Sequence, residues 1–248
     1  MKLSVIIITK NAEADLADAI ESVKNVADEV IVVDNGSIDR TVDIAKYMKA
    51  KVISVEGQDF SQLRNKGLKE SSGEWFFYLD ADERVTKELA SEIKKTVELS
   101  SYAAYKIKRK NFYFGRHEWP YIEYLERLFK KSLLRGWRGK LHESPVFDGE
   151  AGVLDGFLLH YTHKDLSSMV EKTLEWSKIE AQLRFEAGHP KMVWWRFFRV
   201  MATGFTNSYF KQKGWKIGTV GLIESLYQAF SMFITYARLW EMQQDIKN

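Results

Sequence analysis

The chain has 248 residues, of which 45% are hydrophobic and 29% are charged, and it contains no cysteine. This length and apolar content suffice for a large core, so a disordered chain is excluded. Without cysteine there are no disulfides and no thiolate–metal sites, and a reducing cytoplasm is compatible. Met1 and Lys2 lead straight into a short apolar run, too short for a signal peptide, so we expect a cytoplasmic protein.

The formal net charge of +3 is unevenly distributed along the chain. Residues 190–248 hold eight lysines and arginines against three acidic residues, whereas the rest of the chain is slightly acidic. The same segment holds 13 of the 34 aromatic residues. Basic and aromatic side chains together are typical of a surface that binds nucleic acid or an anionic membrane.

The first 100 residues alternate apolar, β-branched runs with helical patterns. Strands are predicted over residues 3–9, 29–34, 51–55 and 74–79. Apolar residues at helical spacing predict helices over residues 16–23, 42–48 and 60–69. This alternation predicts an α/β fold with a mostly parallel sheet covered on both faces. Ligands of such sheets bind beyond the carboxyl ends of the strands.

Polar motifs follow three of these predicted strands: Thr9-Lys10-Asn11, Asp34-Asn35-Gly36-Ser37 and Asp80-Ala81-Asp82. In the turn after a strand, Asp80 and Asp82 can converge on one hard cation, which could then hold a nucleotide's phosphates. Taken alone, this D-x-D pattern is also typical of turns and helix N-caps. The first strand is not followed by G-x-G-x-x-G, which disfavours a Rossmann dehydrogenase. A receiver domain is disfavoured because it would need acidic residues at Lys10 and Asn11.

From residue 104 to residue 162 the pattern changes to shorter strand-like pieces, which we interpret as the second half of the same domain. Beyond them, Asp165 and the pattern Ser168-x-x-Glu171 predict the start of a helix that ends at Gly188-His189-Pro190. Two more helices follow. The last has an apolar face with Leu222, Leu226, Phe230, Phe233, Ala237 and Trp240, and an opposite polar face with Glu224, Gln228, Ser231, Thr235 and Arg238.

We interpret this last helix as amphipathic and not as a transmembrane span. In the segment 192–210, Arg196 and Arg199 favour insertion into a membrane interface over crossing a bilayer. Dense tryptophan and arginine suit the headgroup region of an anionic membrane. The alternative is that the apolar faces pack on the α/β domain or in an oligomer. Nucleic acid is not expected as a partner, because the α/β half has no matching basic patch and no recognisable motif.

Three ordered stretches carry a resemblance to a known family. They are the run of residues 3–9 ending in TKNAE, then EVIVVDNGSIDRT, then QLRNKGLKESSGEWFFYLDADE. In this order and spacing they resemble the family 2 glycosyltransferases of GT-A fold, over about the first 160 residues. Within that family the chain is most similar to bacterial glucosyltransferases that extend the lipopolysaccharide inner core. The resemblance implies a GT-A catalytic domain over residues 1–163, and the helical patterns beyond it predict a C-terminal amphipathic helical region over residues 164–248.

The activity implied by the resemblance is that of an inverting, metal-dependent hexosyltransferase. It would move glucose from UDP-glucose to a lipid-linked saccharide such as the lipopolysaccharide core, at the inner face of the cell membrane. Two alternatives stay open. One is a transferase to a prenyl phosphate or a protein, and the other is a GT-A-shaped binding module that has lost catalysis. The intact D-x-D argues against the second alternative.

The resemblance also implies which residues hold the divalent cation, Mn or Mg. Asp82 would be the principal ligand, and Asp80 would lie nearer the ribose and the cation. His160 would complete the metal shell, with His163 as the competing choice. A histidine after an apolar run is also typical of a core position.

For the nucleotide, Asp34 matches the family's VDNGS motif and would bind the uracil or ribose, since a carboxylate accepts N–H and O–H groups. Gly36 and Ser37 would form a tight turn beside the nucleotide, although DNGS is also a generic turn sequence. Thr9 would contribute its backbone to the pocket for the base, and Asn11, in the same strand-end motif, is a further candidate for binding the nucleotide-sugar.

Arg64, in QLRNKG, would approach the nucleotide or its phosphates, although an arginine on a helix is often only solvated surface. Glu143 is our candidate for the base that deprotonates the acceptor hydroxyl for in-line displacement. The family often has a Glu-Asp pair here, whereas this chain has His142-Glu143. A solvated loop glutamate is the alternative reading of Glu143.

Overall fold

The computed structural model describes residues 2–99, 101–140 and 143–245. The chain forms two compact units. The first contains Met1–Lys110 and Ile122–Tyr161, and the second contains Asn111–Tyr121 and Thr162–Asn248. The domain boundary that the sequence places after residue 163 stays a prediction.

Ten strands are present in the described residues: β1 (Leu3–Thr9), β2 (Glu29–Asn35), β3 (Lys51–Val55), β4 (Trp75–Asp80), β5 (Glu83–Val85), β6 (Ala104–Tyr113), β7 (His117–Lys130), β8 (Leu134–Arg138), β9 (Ser144–Phe147) and β10 (Ala151–Tyr161). A mixed eight-stranded sheet forms the centre of the first unit, with the strand order β3-β2-β1-β4-β7-β6-β10-β5. A separate two-stranded sheet pairs β8 with β9.

The first four strands form the parallel half of the sheet. Strand β1 lies between β2 and β4, and β3 pairs with β2, all in parallel. Strand β7 joins β4 in antiparallel orientation, and β5 joins β10 in the same way. Four helices accompany these strands: α1 (Leu16–Val23), α2 (Thr41–Tyr47), α3 (Phe60–Glu70) and α4 (Lys87–Leu99). The α/β class predicted from the alternating pattern is confirmed.

Burial on both faces explains why β1 and β4 are continuous apolar runs. Every residue of β1 is buried, and so are the first five residues of β4. One face of the sheet packs against the apolar sides of α1 and α4, and the other packs against α3 and β8. A sheet covered on both sides needs apolar side chains at every position, so alternation disappears from its central strands.

The register of the parallel strands brings their polar ends together. Thr9 lies opposite Asp34, and Ile8 lies opposite Asp80. The three polar motifs therefore meet at one edge of the sheet, where ligands of open α/β sheets bind.

Helices form most of the second unit: α5 (Leu166–Glu186), α6 (Trp194–Thr206) and α7 (Gly218–Asp245). Asp165 caps α5, and its reciprocal partner is Ser168, so the capping box begins one turn earlier than the pattern Ser168-x-x-Glu171 indicates. The predicted stop is confirmed, because α5 ends before Gly188, which has a φ of +66°.

The two faces predicted for α7 are present, but the apolar face is the exposed one. Leu226 and Phe230 are exposed, whereas Glu224 and Thr235 are buried. In the part of the chain that the structure describes, the segment Gly214–Gln244 is the one helix that is long and apolar enough to cross a membrane.

Candidate active site

The ends of β1 and β2 form the first part of the site. Thr9 and Asp34 are both buried, although a threonine and an aspartate at strand ends are ordinarily exposed. The Thr9 hydroxyl is buried and has no hydrogen-bond partner among the described residues. A buried hydroxyl without a partner costs free energy, so this position is suited to a polar group from a ligand.

The loop after β2 is tied to the loop after β1 by hydrogen bonds. The Asp34 carboxylate accepts bonds from the backbone N–H of Ser37, at 3.1 Å, and from the Ser37 hydroxyl. Ser37 Oγ accepts the backbone N–H of Asn11 at 2.8 Å, and Asn11 Oδ1 accepts the N–H of Ile38 at 2.9 Å. The two sequence motifs therefore form one connected structure.

Two residues of this structure have left-handed backbone conformations. Gly36 has a φ of +77°, and a Cβ there would lie 3.2 Å from Glu56 Cγ. Asn11 has a φ of +50°, which asparagine tolerates better than most residues. The residue types at Asn11 and Gly36 thus follow from the backbone path around this edge of the sheet.

Helix α3 places Arg64 in the interior. A capping box between Asp59 and Gln62 fixes the start of the helix. At Gly67, a Cβ would clash with Ile6 on β1, so only glycine lets α3 approach the sheet this closely. As a result the side chain of Arg64 is only 3% exposed, which excludes the reading of Arg64 as solvated surface.

Arg64 connects two candidate functional carboxylates. Its Nε donates to Glu143 Oε1 at 2.9 Å, and one terminal nitrogen donates to Asp80 Oδ1 at 2.9 Å. The guanidinium lies over the Trp137 ring, 4.8 Å from its centroid, which adds a cation–π contact. The other terminal nitrogen, Nη1, is buried with no partner among the described residues. Arg64 therefore retains a donor for an anionic ligand.

Asn65 holds the strand that carries Trp137. Its side chain donates to the Trp137 carbonyl at 2.9 Å and accepts the Trp137 backbone N–H at 2.8 Å. This amide pair fixes β8 against α3, and so fixes the aromatic ring under the guanidinium of Arg64.

Asp80 accepts hydrogen bonds from arginines on both of its oxygens. Oδ1 is bound by Arg64, and Oδ2 lies 2.6 Å from a terminal nitrogen of the buried Arg127 on β7. Burial alone would raise the pKa of Asp80, but the charges of Arg127 and Arg64 outweigh burial and hold the pKa of this carboxyl well below its usual range. Asp80 is therefore a carboxylate at every physiological pH.

The fully buried Glu83 continues this network. Its Oε1 accepts bonds from Arg127 and Arg109, both at 2.9 Å, and its Oε2 accepts the backbone N–H of Asp80 at 3.0 Å. Arg109 also binds Glu123 at 2.7 Å. Acids and arginines thus alternate from the candidate base to β7, through Glu143, Arg64, Asp80, Arg127, Glu83, Arg109 and Glu123; we call these seven residues the charge chain.

Asp82 and His160 lie beside the charge chain. The distance from Asp82 Oδ2 to His160 Nε2 is 3.3 Å, and the Asp82 side chain is 32% exposed. Asp82 is not an N-cap, because β5 intervenes and α4 begins at Lys87, with Thr86 Oγ1 accepting the N–H of Leu89. The competing His163 belongs to the second unit, where its Nδ1 lies 2.9 Å from Glu224.

A divalent cation fits Asp82 and its neighbours if a ligand supplies the remaining oxygens. No group of three or more His, Asp or Glu side chains suited to a metal is present in residues 2–99, 101–140 and 143–245. Mn and Mg are commonly held by one or two carboxylates together with substrate phosphates, so a complete protein cage is not needed. Imidazole at His160 suits Mn better than Mg.

The structure places all ten residues predicted for the site in the first unit: Thr9, Asn11, Asp34, Gly36, Ser37, Arg64, Asp80, Asp82, Glu143 and His160. Their roles stay predictions. Sequence reasoning missed Glu83, Arg109, Arg127 and Asn65. A signal was available for Arg127, because a charged residue directly before the apolar run Leu128-Phe129 of a strand is unusual.

Comparison with known proteins identifies relatives along the whole chain. The model of the family described as glycosyl transferase family 2 matches residues 4–149. An uncharacterized glycosyltransferase of Rickettsia typhi is 32% identical, covering 100% of this chain and 89% of the relative. The lipopolysaccharide core biosynthesis glycosyltransferase LpsC of Rhizobium meliloti is 27% identical, covering 97% of this chain and 93% of LpsC.

Among solved structures, residues 1–349 of Staphylococcus aureus TarS in complex with UDP-GlcNAc are similar to this chain. The TM-score is 0.50 at 15% identity, and the match covers 99% of this chain and 92% of that one. Identity this low establishes a shared fold alone. The GT-A architecture with a C-terminal helical extension, expected from the sequence, is confirmed.

Proposed function

This chain belongs to glycosyl transferase family 2, and from that premise we propose that it transfers glucose from UDP-glucose to a lipid-linked saccharide with inversion at the anomeric carbon. The nucleotide would bind at the edge of the sheet where β1 and β2 end. Asp34 would accept N–H or O–H groups of the uracil or ribose, and the Thr9 hydroxyl would gain the partner that it lacks within the described protein.

The diphosphate would lie between Arg64 and Asp82. The unpartnered Nη1 of Arg64 is a donor for a phosphate oxygen. A divalent cation, Mn or Mg, held by Asp82 and Asp80 with His160, would neutralise the charge of the leaving diphosphate. Because both oxygens of Asp80 already accept bonds from arginines, Asp82 is the better candidate for the principal ligand.

Glu143 is the proposed base. Its carboxylate, largely buried, is oriented by the bond to Arg64 Nε. It would take the proton of the acceptor hydroxyl as that oxygen attacks the anomeric carbon from the face opposite the diphosphate. The single observation that carries the proposal is that Arg64 binds both Glu143 and Asp80. One side chain thus sets the distance between the base and the D-x-D motif.

The acceptor is inferred from the relatives. LpsC, which is similar over nearly the whole chain, is described as acting in lipopolysaccharide core biosynthesis. A lipid-linked saccharide of that kind is our proposed acceptor. We infer a cytoplasmic enzyme associated peripherally with the inner face of the cell membrane, where such lipids and nucleotide sugars meet.

The test combines binding and turnover. Calorimetry should detect UDP and UDP-glucose binding in the presence of Mn and much weaker binding without it, with GDP and ADP as controls. If no nucleotide bound, the result would favour a GT-A-shaped binding module without catalysis.

Glu143→Gln tests the base, because glutamine keeps the size and an acceptor oxygen for Arg64 but cannot take a proton. It should preserve UDP binding and lower turnover by about 10²- to 10⁴-fold, with UDP release from UDP-glucose and a lipid acceptor as the assay. Unchanged turnover would remove Glu143 from this role.

A further inference from the structure

The exposed side of α7 is apolar. Between residues 222 and 240 the exposed side chains are those of Leu222, Ile223, Leu226, Phe230, Phe233 and Trp240. All six are large and apolar, and the most exposed, Leu226, is 54% accessible. A helix on the surface of a soluble protein has the opposite arrangement, with its polar side chains outward.

The buried side of α7 carries polar groups with hydrogen-bond partners, beside apolar core residues such as Leu239. Glu224 is 1% exposed, and its two carboxylate oxygens lie 2.7 Å from Gln228 Nε2 and 2.9 Å from His163 Nδ1. The Tyr227 hydroxyl donates to the Met169 carbonyl at 2.6 Å. Because these inward polar groups have hydrogen-bond partners inside the second unit, the structure accommodates the helix in this orientation. Its outward face is suited to an apolar surrounding.

Aromatic side chains extend this exposed surface beyond α7. Trp194 and Phe198 on α6 are 76% and 68% exposed, and Phe210 and Trp215 in the turns before α7 are more than half exposed. The Phe197 ring of α6 lies 5.9 Å from the Phe233 ring, so the two helices are neighbours. We call the exposed apolar residues of α6, of the turns and of α7 the aromatic surface. Exposed apolar surface on this scale indicates a binding partner.

The charged residues within 190–244, the stretch that carries the aromatic surface, are almost all basic. Within residues 190–244 the basic residues are Lys191, Arg196, Arg199, Lys211, Lys213, Lys216 and Arg238. The only acids of that stretch are Glu224, which is buried, and Glu241. Arg196 and Arg199 each lie 5.5 Å from the Trp195 ring, and Lys216 lies 5.7 Å from the Trp215 ring. Paired aromatic and basic groups suit the boundary between lipid headgroups and acyl chains.

We propose that the aromatic surface inserts into the interfacial layer of an anionic phospholipid bilayer, with α6 and α7 lying in the plane of the membrane. This inference deepens the proposed membrane location and rests on it. Anionic headgroups would neutralise the basic residues, while the six exposed residues of α7 would enter the acyl boundary.

The charges argue against two other occupants. A symmetric contact with a second copy of the chain would bring the basic residues of both copies together, and residues 190–244 offer only Glu241 as an exposed acid to compensate them. A bilayer crossing by the segment Gly214–Gln244 would place the Glu224 carboxylate within the hydrocarbon and separate it from His163. An in-plane helix keeps Glu224 inside the second unit and leaves Lys216 and Arg238 at the headgroups.

The experiment measures sedimentation of the full-length protein with vesicles of phosphatidylcholine, with and without phosphatidylglycerol. The test variant is Phe198→Gln, Leu226→Gln, Phe230→Gln, all at exposed positions, so the fold should persist. A matched control replaces exposed apolar residues of the first unit, Tyr47→Gln and Leu99→Gln. A charge variant replaces Lys211 and Lys216 by glutamine.

Wild type and control should bind the anionic vesicles, and the test variant should bind at least about tenfold more weakly. The charge variant should bind anionic vesicles at least about tenfold more weakly, because each basic residue removed lowers the affinity about fivefold. Its binding should also depend less on salt concentration. Equal binding by the test variant and the control would overturn the proposal.

Two further results would also overturn it. One is that wild type does not bind vesicles and instead forms a dimer without lipid, measured by analytical ultracentrifugation, whereas the test variant is monomeric. The other is membrane-bound protein that resists both high salt and alkaline carbonate, which would indicate a spanning helix. UDP calorimetry on the same variants tests the donor proposal separately from the membrane proposal. A protein that binds vesicles but no nucleotide would contradict only the donor proposal.

Discussion

The two units depart from the usual rule of apolar inside and charged outside, in opposite ways. In the first unit, Glu83, Arg64 and Arg127 are buried, and their charges are neutralised in pairs along the charge chain. In the second unit, the aromatic surface leaves large apolar groups exposed, while Glu224 is buried. Both arrangements cost free energy in water, the first by desolvating ions and the second by exposing apolar area.

The difference between the two arrangements indicates what each is for. A buried ionic chain holds its members in fixed positions, and two of its carboxylates, Asp80 and Glu143, lie at the edge of the sheet where ligands bind. An exposed apolar surface holds nothing in place by itself and becomes favourable only when something apolar covers it. This contrast supports our two proposals, in which the first unit positions a small ligand and the second binds an extended partner.

The largest expected effect on ligand binding comes from Asp82, which lies beside the charge chain but is not one of its members. Asp82→Ala should weaken UDP binding in the presence of Mn by about 100-fold or more, because it removes the proposed principal ligand of the cation. Calorimetry measures the affinity, and circular dichroism checks that the fold is retained. A matched control is Asp148→Ala, an exposed carboxylate of the same unit. Normal UDP affinity in Asp82→Ala would refute the ligand assignment.

A pair of arginine variants compares positions within the charge chain. Arg127→Gln removes one of the two arginine partners of Asp80 and one of the two of Glu83, and should cost about 3–5 kcal/mol in the free energy of unfolding. Arg109→Gln also removes a partner of Glu83 but does not touch Asp80, and Arg127 still compensates Glu83. Arg109→Gln should therefore lower the free energy of unfolding by less than Arg127→Gln does. Urea unfolding measures both values, and equal costs would show that Asp80 does not depend on Arg127.

The sequence predicted the edge of the sheet well, for a physical reason. Parallel strands buried on both faces must be apolar throughout, so β1 and β4 are visible as runs, and the polar residues after them mark where each strand ends. The charge chain was not predictable in the same way. Its partners are distant along the chain, with Glu83 and Arg127 separated by 44 residues, and no periodicity specifies which arginine meets which acid.

The helix α7 shows a different limit of sequence reasoning. The spacing of Leu226 and Phe230 against Glu224 and Thr235 predicts two faces correctly, but periodicity is the same whichever face points outward. Only the hydrogen bonds of Glu224 and the exposure of Leu226 decide that the polar face is inside.

The smallest expected effect tests this inverted helix directly. In lipid-free buffer, Leu226→Gln should change the free energy of unfolding by less than about 0.5 kcal/mol, because the leucine is exposed. Glu224→Leu, two residues earlier, should destabilise by about 1–3 kcal/mol, since His163 and Gln228 lose a buried partner. Urea unfolding of both variants gives the comparison. In a conventional surface helix the costs would be reversed, because the leucine would be buried and the glutamate solvated. A larger loss for Leu226→Gln than for Glu224→Leu would therefore remove the basis for placing the aromatic surface in a membrane.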